Sequence, residues 1–525
     1  MTASDETAGR AAGELMARSR AGGHSALAGG RSHPRAARLE RLSPVDAANM
    51  RVESRGGPMH VAVVGVVDGA ALLDATGRLR LEEVRADLDR RLYLAPRLRQ
   101  VLLRPRRGLG PPAWADDACF DIGAHVRARP VAAPGDEAAL LAVCLELNQP
   151  PLDRSRPLWE LWLLPGLADR NVGMLVRLHH VVADGVAAMA MMGALFGAAP
   201  GTPPPPGPPW RPVPAPSTWR LFTDTWRRRA AAAAAAGPRL GHPAVIVHSA
   251  GARARQLRLA LGEGLAPPVS WNRPAGTRRR LLLARADLAS VKTVAHAHGG
   301  TVNDVVLAAV AGGARRLLAS RGELRPGLAL KAGVAAAARD PGDRAPTGNR
   351  AAVMVVPLPV SAPDPARALA QIARATRERK RYPPYQPSGR FAQRAMVWAM
   401  PWQRLINLGT SNLPGPPKAL YLAGARVLEL FQVGVVQGNL TIQVGVLSHA
   451  GQLNFAILGD ADALPDLNTF ADGVSEALTQ LGAPPTAGTQ HEGTKPPVWR
   501  ADPPPERPDD HNRPPSAGRL GRSPQ

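Results

Sequence analysis

The run His179-His180-Val-Val-Ala-Asp184-Gly185 gathers the side chains of this sequence that are best suited to chemistry. A neutral imidazole accepts a proton near pH 7, so a histidine that projects into a cleft can act as a general base. Asp184 precedes an apolar run, where a carboxylate can cap free backbone N–H groups or pair with an arginine. Gly185 lets the backbone pass close to another segment. The spacing predicts an acid–base site without a Ser or Cys nucleophile; the alternative is two packed histidines at a tight turn.

Other catalytic signatures are missing from the sequence. It contains no Walker-type phosphate loop, Rossmann glycine fingerprint, HExxH helix or GxSxG elbow. Cys119 and Cys144 are the two cysteines, too few for a disulfide framework or a Cys-rich metal site, and they fit a reducing cytosol. We therefore expect a cytoplasmic protein with no metal or other bound cofactor. The uncharged run 185–201 favours a buried helix over a membrane span.

The elements that must position the site alternate between strands and helices. The motif lies between a predicted strand at 171–178 and a predicted helix at 186–196, which places it where a strand ends and a helix begins. The other predicted strands are 60–67, 281–285, 328–334, 351–358, 426–433, 440–447 and 452–458. The other predicted helices are 79–92, 287–298, 303–319, 364–381 and 465–481. This alternation favours the α/β class.

Composition divides the chain into five predicted segments. They are a disordered tail (1–40), an N-terminal lobe that contains the His-His motif (41–200), a Pro-rich and basic crossover linker (201–280), a C-terminal lobe (281–482) and a disordered Pro-rich tail (483–525). The linker begins with a run of Pro and Gly, which interrupts periodic structure.

The net charge of +23 is concentrated in the crossover, because residues 201–286 contain 14 Arg and only two acidic residues. Trp219, Phe222 and Trp226 share one helical face there, beside the arginines 227–229. Such a stripe suits the surface of an anionic membrane or lipid droplet. The alternative is a helix that docks its rings onto the lobes and leaves the arginines in solvent. No nucleic-acid partner is expected, since no nucleic-acid fold signature accompanies the charge.

From about Leu42 to Leu481 the sequence resembles the bacterial wax ester synthase/diacylglycerol acyltransferase family of CoA-dependent acyltransferases. Besides the His-His run, the marks of that family occur in its order. They are Leu42-Ser-Pro-Val-Asp46, Pro58-Met-His60, Pro157-Leu158-Trp159-Glu160, Thr301-Val-Asn303-Asp304, Gly348-Asn349-Arg350, Ser411-Asn412-Leu-Pro414-Gly415-Pro416 and Ala423-Gly424-Ala425. The resemblance implies a two-lobe fold of the chloramphenicol acetyltransferase type, with the active site between the lobes.

The resemblance also implies acyl transfer from acyl-CoA to diacylglycerol or to a fatty alcohol. His180 would be the general base, with His179, Asp184 and Gly185 completing the catalytic motif and Asp184 in a structural role. Substrate-binding residues and candidate oxyanion donors would come from the second lobe: Asn303, Asp304, Ser411 and Asn412. A helix cap is the alternative for Asn303 and Asp304, and a rigid turn is the alternative for Ser411 and Asn412.

Two departures from the family pattern put substrate preference and rate in question. The chain reads Ala335–Ala338 where relatives usually have Pro-Val-Ser, and Asn49 stands where a hydrophobic residue is common. His60, His125 and His449 are expected to be surface or core histidines. Two other functions stay open: an acyltransferase for a polyketide or glycolipid hydroxyl, and a weakly active protein that binds lipid surfaces.

Overall fold

A computed structural model describes residues 39–53, 57–106, 108–201, 203–204, 206–240, 264–337, 351–381 and 390–486. Ala338 and the motif Gly348-Asn349-Arg350 lie outside the described residues. Both predicted tails lie there as well, apart from residues 39–40 and 483–486.

Both strands and helices occur throughout the described chain, and five strands follow one another near its C-terminal end. The strands are β1 (His60–Val67), β2 (Gln100–Leu103), β3 (Ala113–Asp116), β4 (Val126–Ala128), β5 (Trp159–Pro165), β6 (Val172–His179), β7 (Arg279–Asp287), β8 (Leu330–Ala337), β9 (Ala351–Leu358), β10 (Leu408–Leu413), β11 (Tyr421–Leu422), β12 (Ala425–Val433), β13 (Ile442–His449) and β14 (Gln452–Asp460). The helices are α1 (Pro44–Glu53), α2 (Leu81–Arg91), α3 (Ile122–His125), α4 (Glu137–Asn148), α5 (Gly185–Leu195), α6 (Thr218–Leu240), α7 (Leu288–Ala297), α8 (Val302–Ser320), α9 (Pro365–Lys380), α10 (Arg390–Ala399) and α11 (Leu467–Gln480).

Two six-stranded sheets organise the fold, the first in the order β11-β12-β1-β6-β5-β4 and the second in the order β7-β14-β13-β10-β8-β9. In the first sheet β1 lies between β6 and β12 and is antiparallel to both. In the second sheet β10 is parallel to both β13 and β8. β11 and β12 thus come from the C-terminal half of the sequence but belong to the first sheet, whose other four strands come from the N-terminal half.

Apolar side chains from both sheets share the core. A cluster on one face of the first sheet joins Val64 and Leu175 to Cys144 of α4 and to Leu281 and Leu458 of the second sheet. The other face packs against α2 and α5. The second sheet is covered by α8 and α11, whose buried residues include Val305, Leu317 and Phe470. This shared packing fixes the first sheet against the second where the His-His run leaves β6.

All the strands and helices predicted between residues 60 and 481 are present, with ends shifted by at most a few residues. The α/β prediction is therefore confirmed. The sequence did not predict the strands β2, β3, β4, β5, β10 and β11 or the helices α1, α3, α4 and α10. The β10 run Leu-Gly-Thr-Ser-Asn-Leu has a turn-like composition, and it is extended because β8 and β13 flank it.

The crossover helix α6 docks through the face opposite its aromatic rings. Leu221 and Thr225 are buried, and Arg41 donates to the carbonyl oxygen of Leu221 at 2.8 Å. Trp219, Phe222 and Trp226 are instead 70%, 38% and 55% exposed. The alternative in which these rings dock onto the lobes is therefore wrong. No helix in the described part of the chain is long and apolar enough to cross a membrane.

Candidate active site

The His-His motif forms the turn between the end of β6 and the start of α5. The amide of His179 donates to the carbonyl oxygen of Leu158 at 3.0 Å, and the amide of His180 donates to that of Met59 at 2.9 Å. Trp159, whose indole Nε1 donates to the carbonyl oxygen of Leu98 at 2.7 Å, is buried beside this segment. The Pro-Leu-Trp motif thus has a packing role, because its backbone holds the end of β6.

The two histidines occupy different environments. His179 is fully buried and pairs in register with His60 of β1, whereas His180 is half-buried. Since side chains alternate along a strand, His180 lies on the face of Leu178 and Val176, and His179 lies on the opposite face. Only His180 is therefore placed to meet a molecule that enters from solvent.

The protonation state of His180 suits a general base. Burial lowers its pKa below the ordinary value of 6.5, His179 lowers the pKa further, and the carboxylate of Asp184 acts in the opposite direction. The imidazole is therefore neutral at pH 7 and can accept a proton.

Asp184 and Gly185 shape the start of α5. Oδ1 of Asp184 accepts a hydrogen bond from the amide of Ala187 at 2.9 Å, which is the helix cap predicted from the sequence. A Cβ at Gly185 would lie 2.8 Å from the Leu413 side chain of β10. The motif of the first sheet therefore meets a strand of the second at Gly185, and a larger residue there would require the Leu413 side chain to shift.

An apolar wall adjoins the motif on the first sheet. Val61, Val63 and Val176 lie on the central strands β1 and β6 and are partly buried. Val61 pairs with Leu178 and Val63 pairs with Val176, so all four side chains share one face. The three valines pack against the apolar cluster that contains Leu178, so the face of the sheet next to the motif is apolar and suits contact with an acyl chain.

The second sheet brings Ser411 towards this wall. Ser411 and Leu413 are two residues apart on β10 and share a face, and the Leu413 side chain contacts Gly185. Oγ of Ser411 accepts a hydrogen bond from Nε2 of Gln432 at 3.1 Å, and Gln432 pairs in register with Val63. Because Oγ is an acceptor in this bond, its own proton can be donated to another group.

The other predicted substrate-binding residues lie elsewhere. Asp304 is buried at the start of α8, where Oδ2 accepts from the amide of Thr301 at 2.8 Å and Oδ1 accepts from the Thr376 hydroxyl at 2.7 Å. Its carboxylate thus closes a capping box and ties α8 to α9. Asn303 is half-buried in the same helical turn. Asn412 is half-buried on β10 and faces away from Ser411 by strand alternation.

The remaining histidines near family motifs are core residues, as expected. His60 hydrogen-bonds the carbonyl oxygen of Asn148 through Nε2 at 2.7 Å. His125 stacks on Trp159, with ring centroids 4.8 Å apart. His449 bonds the carbonyl oxygen of Val427 through Nε2 at 3.1 Å.

Sequence reasoning missed the charged pair that meets His179. Glu53, the last residue of α1, has Oε2 at 3.3 Å from Nε2 of His179 and forms an ion pair with Arg154. Burial alone would raise the pKa of Glu53, but its contacts with His179 and Arg154 outweigh burial and lower the pKa to about 2. In the part of the chain that the structure describes, no group of three or more His, Cys, Asp or Glu is placed to hold a metal ion.

Comparisons with known proteins show which families and structures this chain resembles. The family model of the wax ester synthase/diacylglycerol acyltransferase catalytic domain matches residues 42–306. The model of the C-terminal domain of the same family matches residues 347–482. A probable diacylglycerol O-acyltransferase of Mycobacterium tuberculosis is 30% identical over 469 residues, which cover 85% of this chain and 96% of that protein.

Two solved structures share the fold. The wax ester synthase/diacylglycerol acyltransferase from Marinobacter aquaeolei VT8 has a TM-score of 0.58 and 24% identity, and the match covers 84% of this chain and 98% of that one. The starter condensation domain of rhizomide synthetase, in complex with C8-CoA, has a TM-score of 0.54 and 15% identity over 85% of this chain and 94% of that one. The architecture is thus the two-lobe fold of the chloramphenicol acetyltransferase type.

Proposed function

Because the chain belongs to the wax ester synthase/diacylglycerol acyltransferase family, it is an O-acyltransferase, and we propose that His180 is the general base of its reaction. The acyl donor is acyl-CoA and the acceptor is an alcohol. Within that class, the partly buried valines beside His180 favour a long acyl chain and a lipid acceptor, either diacylglycerol or a fatty alcohol. The observation that carries the proposal is the neutral, half-buried imidazole of His180 next to this apolar wall.

The proposed reaction moves one proton twice. His180 accepts the proton of the acceptor hydroxyl as the oxygen attacks the thioester carbonyl carbon, and a C–O bond forms. The tetrahedral oxyanion then collapses, the C–S bond breaks, and the CoA thiolate takes the proton from the imidazolium of His180. Asp184 caps α5 and has a structural role in this scheme, in which it takes no proton. We propose that no resident metal or cofactor takes part, since the thioester already supplies the activated acyl group.

The oxyanion requires donors, and Ser411 is the candidate that its placement favours. Its hydroxyl proton is available because Oγ accepts from Gln432, and its strand meets the His-His motif at Gly185. One such donor contributes about 2.7–4 kcal/mol to the transition state. Asn303 and Asn412 remain candidates by residue type, while the contacts of Asp304 with Thr301 and Thr376 favour a structural role.

Release of free CoA tests the proposal. Purified chain in buffer with a metal chelator should release CoA from palmitoyl-CoA when dioleoylglycerol or hexadecanol is present. His180→Ala should lower kcat by roughly 10²–10⁴-fold without changing the melting temperature, and His296→Ala, an exposed histidine on α7, is the matched control. Undiminished activity of His180→Ala would contradict the mechanism. Turnover only with a polyketide or glycolipid alcohol would identify another acceptor, and lipid binding without turnover would overturn the catalytic assignment.

We also propose that the protein associates peripherally with an anionic membrane or lipid inclusion through α6. Its rings form a continuous exposed ladder: the centroids of Trp219 and Phe222 are 5.6 Å apart, and those of Phe222 and Trp226 are 6.2 Å apart. Arg227 and Arg229 are exposed beside them. Aromatic rings that enter the lipid interface next to arginines that meet anionic headgroups are the usual basis of such binding. Flotation of the chain with anionic vesicles tests this association.

A further inference from the structure

We infer that Glu53 is a positioning residue of the acyl-transfer site, which acts on the catalytic turn through His179. The inference rests on the proposed role of His180. The Glu53 side chain is 5% exposed, and Oε2 lies 3.3 Å from Nε2 of His179. Arg154 forms an ion pair with the same carboxylate oxygen. The contact with His179 is electrostatic at this distance, because the ring is not aligned for a hydrogen bond.

The second ring nitrogen of His179 decides which tautomer is present. Nδ1 accepts a hydrogen bond from the amide of Val181 at 3.1 Å, so the proton of the neutral ring is on Nε2. Nε2 lies 3.3 Å from Oε2 of Glu53, and the negative charge of the carboxylate favours a proton on that nitrogen. The carboxylate and the Val181 amide therefore select the same tautomer from opposite sides of the ring.

This arrangement reaches His180 along two routes. Val181 follows His180 directly, so the bond from its amide to His179 fixes the turn that carries the base. The amide of His180 donates to the carbonyl oxygen of Met59, and the amide of Met59 donates to Oε1 of Glu53 at 3.4 Å. One carboxylate thus holds both the segment before β1 and the ring at the end of β6. A displaced turn would misplace the base relative to the thioester, and small misplacements lower turnover strongly.

Arg154 makes this buried charge tolerable. A buried carboxylate with no partner is costly, but here a guanidinium and an imidazole N–H face it. Glu53 comes from α1 and Arg154 from the segment before β5, so the pair also fastens α1 beside the catalytic turn. The inference gives the two adjacent histidines different roles. His180 lies on the apolar face of the first sheet and acts as the base, and His179 lies on the opposite face and holds the turn in place.

Glu53→Gln tests the inference, because it keeps the size of the side chain and removes its charge. We expect kcat to fall about 10–100-fold, the range for partners that orient a catalytic group, while KM for palmitoyl-CoA stays within about twofold. Glu53→Asp, which restores the charge, should recover part of kcat. Glu146→Gln is the matched control, since Glu146 pairs with Arg129 on the surface, and it should leave kcat unchanged.

Histidine ¹⁵N spectra of the full chain, recorded without substrate, supply the readout that a merely structural role would not change. His179 should show the Nε2–H tautomer in the wild type and a mixture of tautomers in Glu53→Gln. A wild-type kcat in Glu53→Gln, or a lower kcat with an unchanged His179 spectrum, would overturn the inference. Should Glu53→Gln fail to fold, Glu53→Asp supplies the test, because its shorter side chain moves the charge away from His179: its kcat should fall together with the appearance of mixed His179 tautomers, and a fall in kcat without that change would overturn the inference. Activity retained in His180→Ala would instead refute the general base and leave the tautomer result standing.

Discussion

His60 shows how burial alone changes the chemistry of a histidine. It is 3% exposed, and burial together with the nearby Arg177 lowers its pKa from 6.5 to about 4. Its Nε2 bonds a backbone carbonyl, so the neutral ring donates its proton there. His60 is thus neutral throughout the neutral pH range, as His180 is, but it serves packing at the start of β1.

We predict an acid-sensitive stability that His60 contributes. Its folded pKa is lower than its unfolded pKa, so the unfolded state binds protons more readily as the pH falls from 6.5 towards 4. The contribution is fully present above pH 6.5 and decreases by about 1.4 kcal/mol per pH unit, or roughly 3 kcal/mol across this window. Urea unfolding at several pH values between 7.5 and 4 measures it.

His60→Gln isolates this contribution, because its amide can still donate to Asn148 and it does not titrate. His125, His180 and His449 also have lowered pKa values. The contribution of His60 is therefore the difference between the free energies of unfolding of the wild type and the variant at each pH. Glu53 titrates in a lower window, from its ordinary 4.5 down to about 2, and its contribution is lost as the pH falls through that window. An equal pH slope in the variant and the wild type would contradict the prediction.

At single residues, the sequence predicted what depends on neighbours in the chain. Asp184 caps the helix that it immediately precedes, and such local bonds can be read from residue type and position. Asp304 forms a local cap too, but its bond to Thr376 joins two helices. Glu53 could not be predicted as a partner of His179, because their contact depends on how α1 packs beside β6.

Between elements, a buried ion pair connects the two sheets. Nε and Nη2 of Arg285 on β7 bond the two carboxylate oxygens of Glu429 on β12 at 2.8 and 2.9 Å. Nη2 of Arg285 also bonds Glu137 of α4 at 2.6 Å. Glu429 is fully buried, and the guanidinium lies 4.8 Å from the centroid of the Phe431 ring. The position of β12 in the first sheet therefore depends on a cation from the second.

We predict that Arg285→Met destabilises the protein by about 3–5 kcal/mol, because it leaves the buried carboxylate of Glu429 without its main counter-ion. The double variant Arg285→Met/Glu429→Met should recover most of this loss, since well-packed apolar side chains can replace a buried pair. The exposed pair of Arg316 and Glu476 supplies the control, and Arg316→Met should cost less than about 1 kcal/mol. Urea midpoints compare the variants, and equal losses for the two single variants would refute the prediction.

Elements were predictable from the sequence where their own periodicity defines them. β12 was predicted as a strand from its apolar run, but its pairing with β1 joins distant parts of the chain. Gly445 lets β13 pass close to β12, since a Cβ at this position would lie 1.9 Å from the carbonyl oxygen of Gln432 on β12. The presence of a strand could therefore be predicted from its own sequence. The sheet to which the strand belongs could not, because it depends on packing between the lobes.

Across the whole molecule, the net charge of +23 can attract an anionic partner only through basic side chains that are not held in ion pairs. Much of the arginine in the lobes is held in ion pairs, for example Arg177 with Glu160 and Arg91 with Asp87. Arg227 and Arg229 are instead exposed on α6 beside the aromatic ladder. At physiological ionic strength, salt screens the interaction between exposed charges that lie more than about 8 Å apart. In the proposed association, long-range attraction would bring the chain to an anionic surface, and the rings would determine how it is held there.

We predict that replacing Arg227, Arg228 and Arg229 with Gln weakens binding to anionic vesicles about 100-fold at low salt. The estimate follows from about 1 kcal/mol per arginine near such a surface and 1.4 kcal/mol per tenfold change in affinity. The matched control replaces Arg374, Arg377 and Lys380 on α9, which are exposed on a helix that carries no aromatic residue. Both variants lower the net charge equally, so equal losses would show that overall charge, rather than α6, drives binding.

The same vesicle assay separates charge from ring insertion. Trp219→Ser/Phe222→Ser/Trp226→Ser should keep the salt dependence of the wild type but bind more weakly at every salt concentration, because salt does not screen the transfer of apolar surface. The arginine variant should instead lose most of its salt dependence. An aromatic variant that binds as tightly as the wild type at 0.5 M NaCl would show that the ladder does not enter the lipid interface, and α6 would then be only an electrostatic contact.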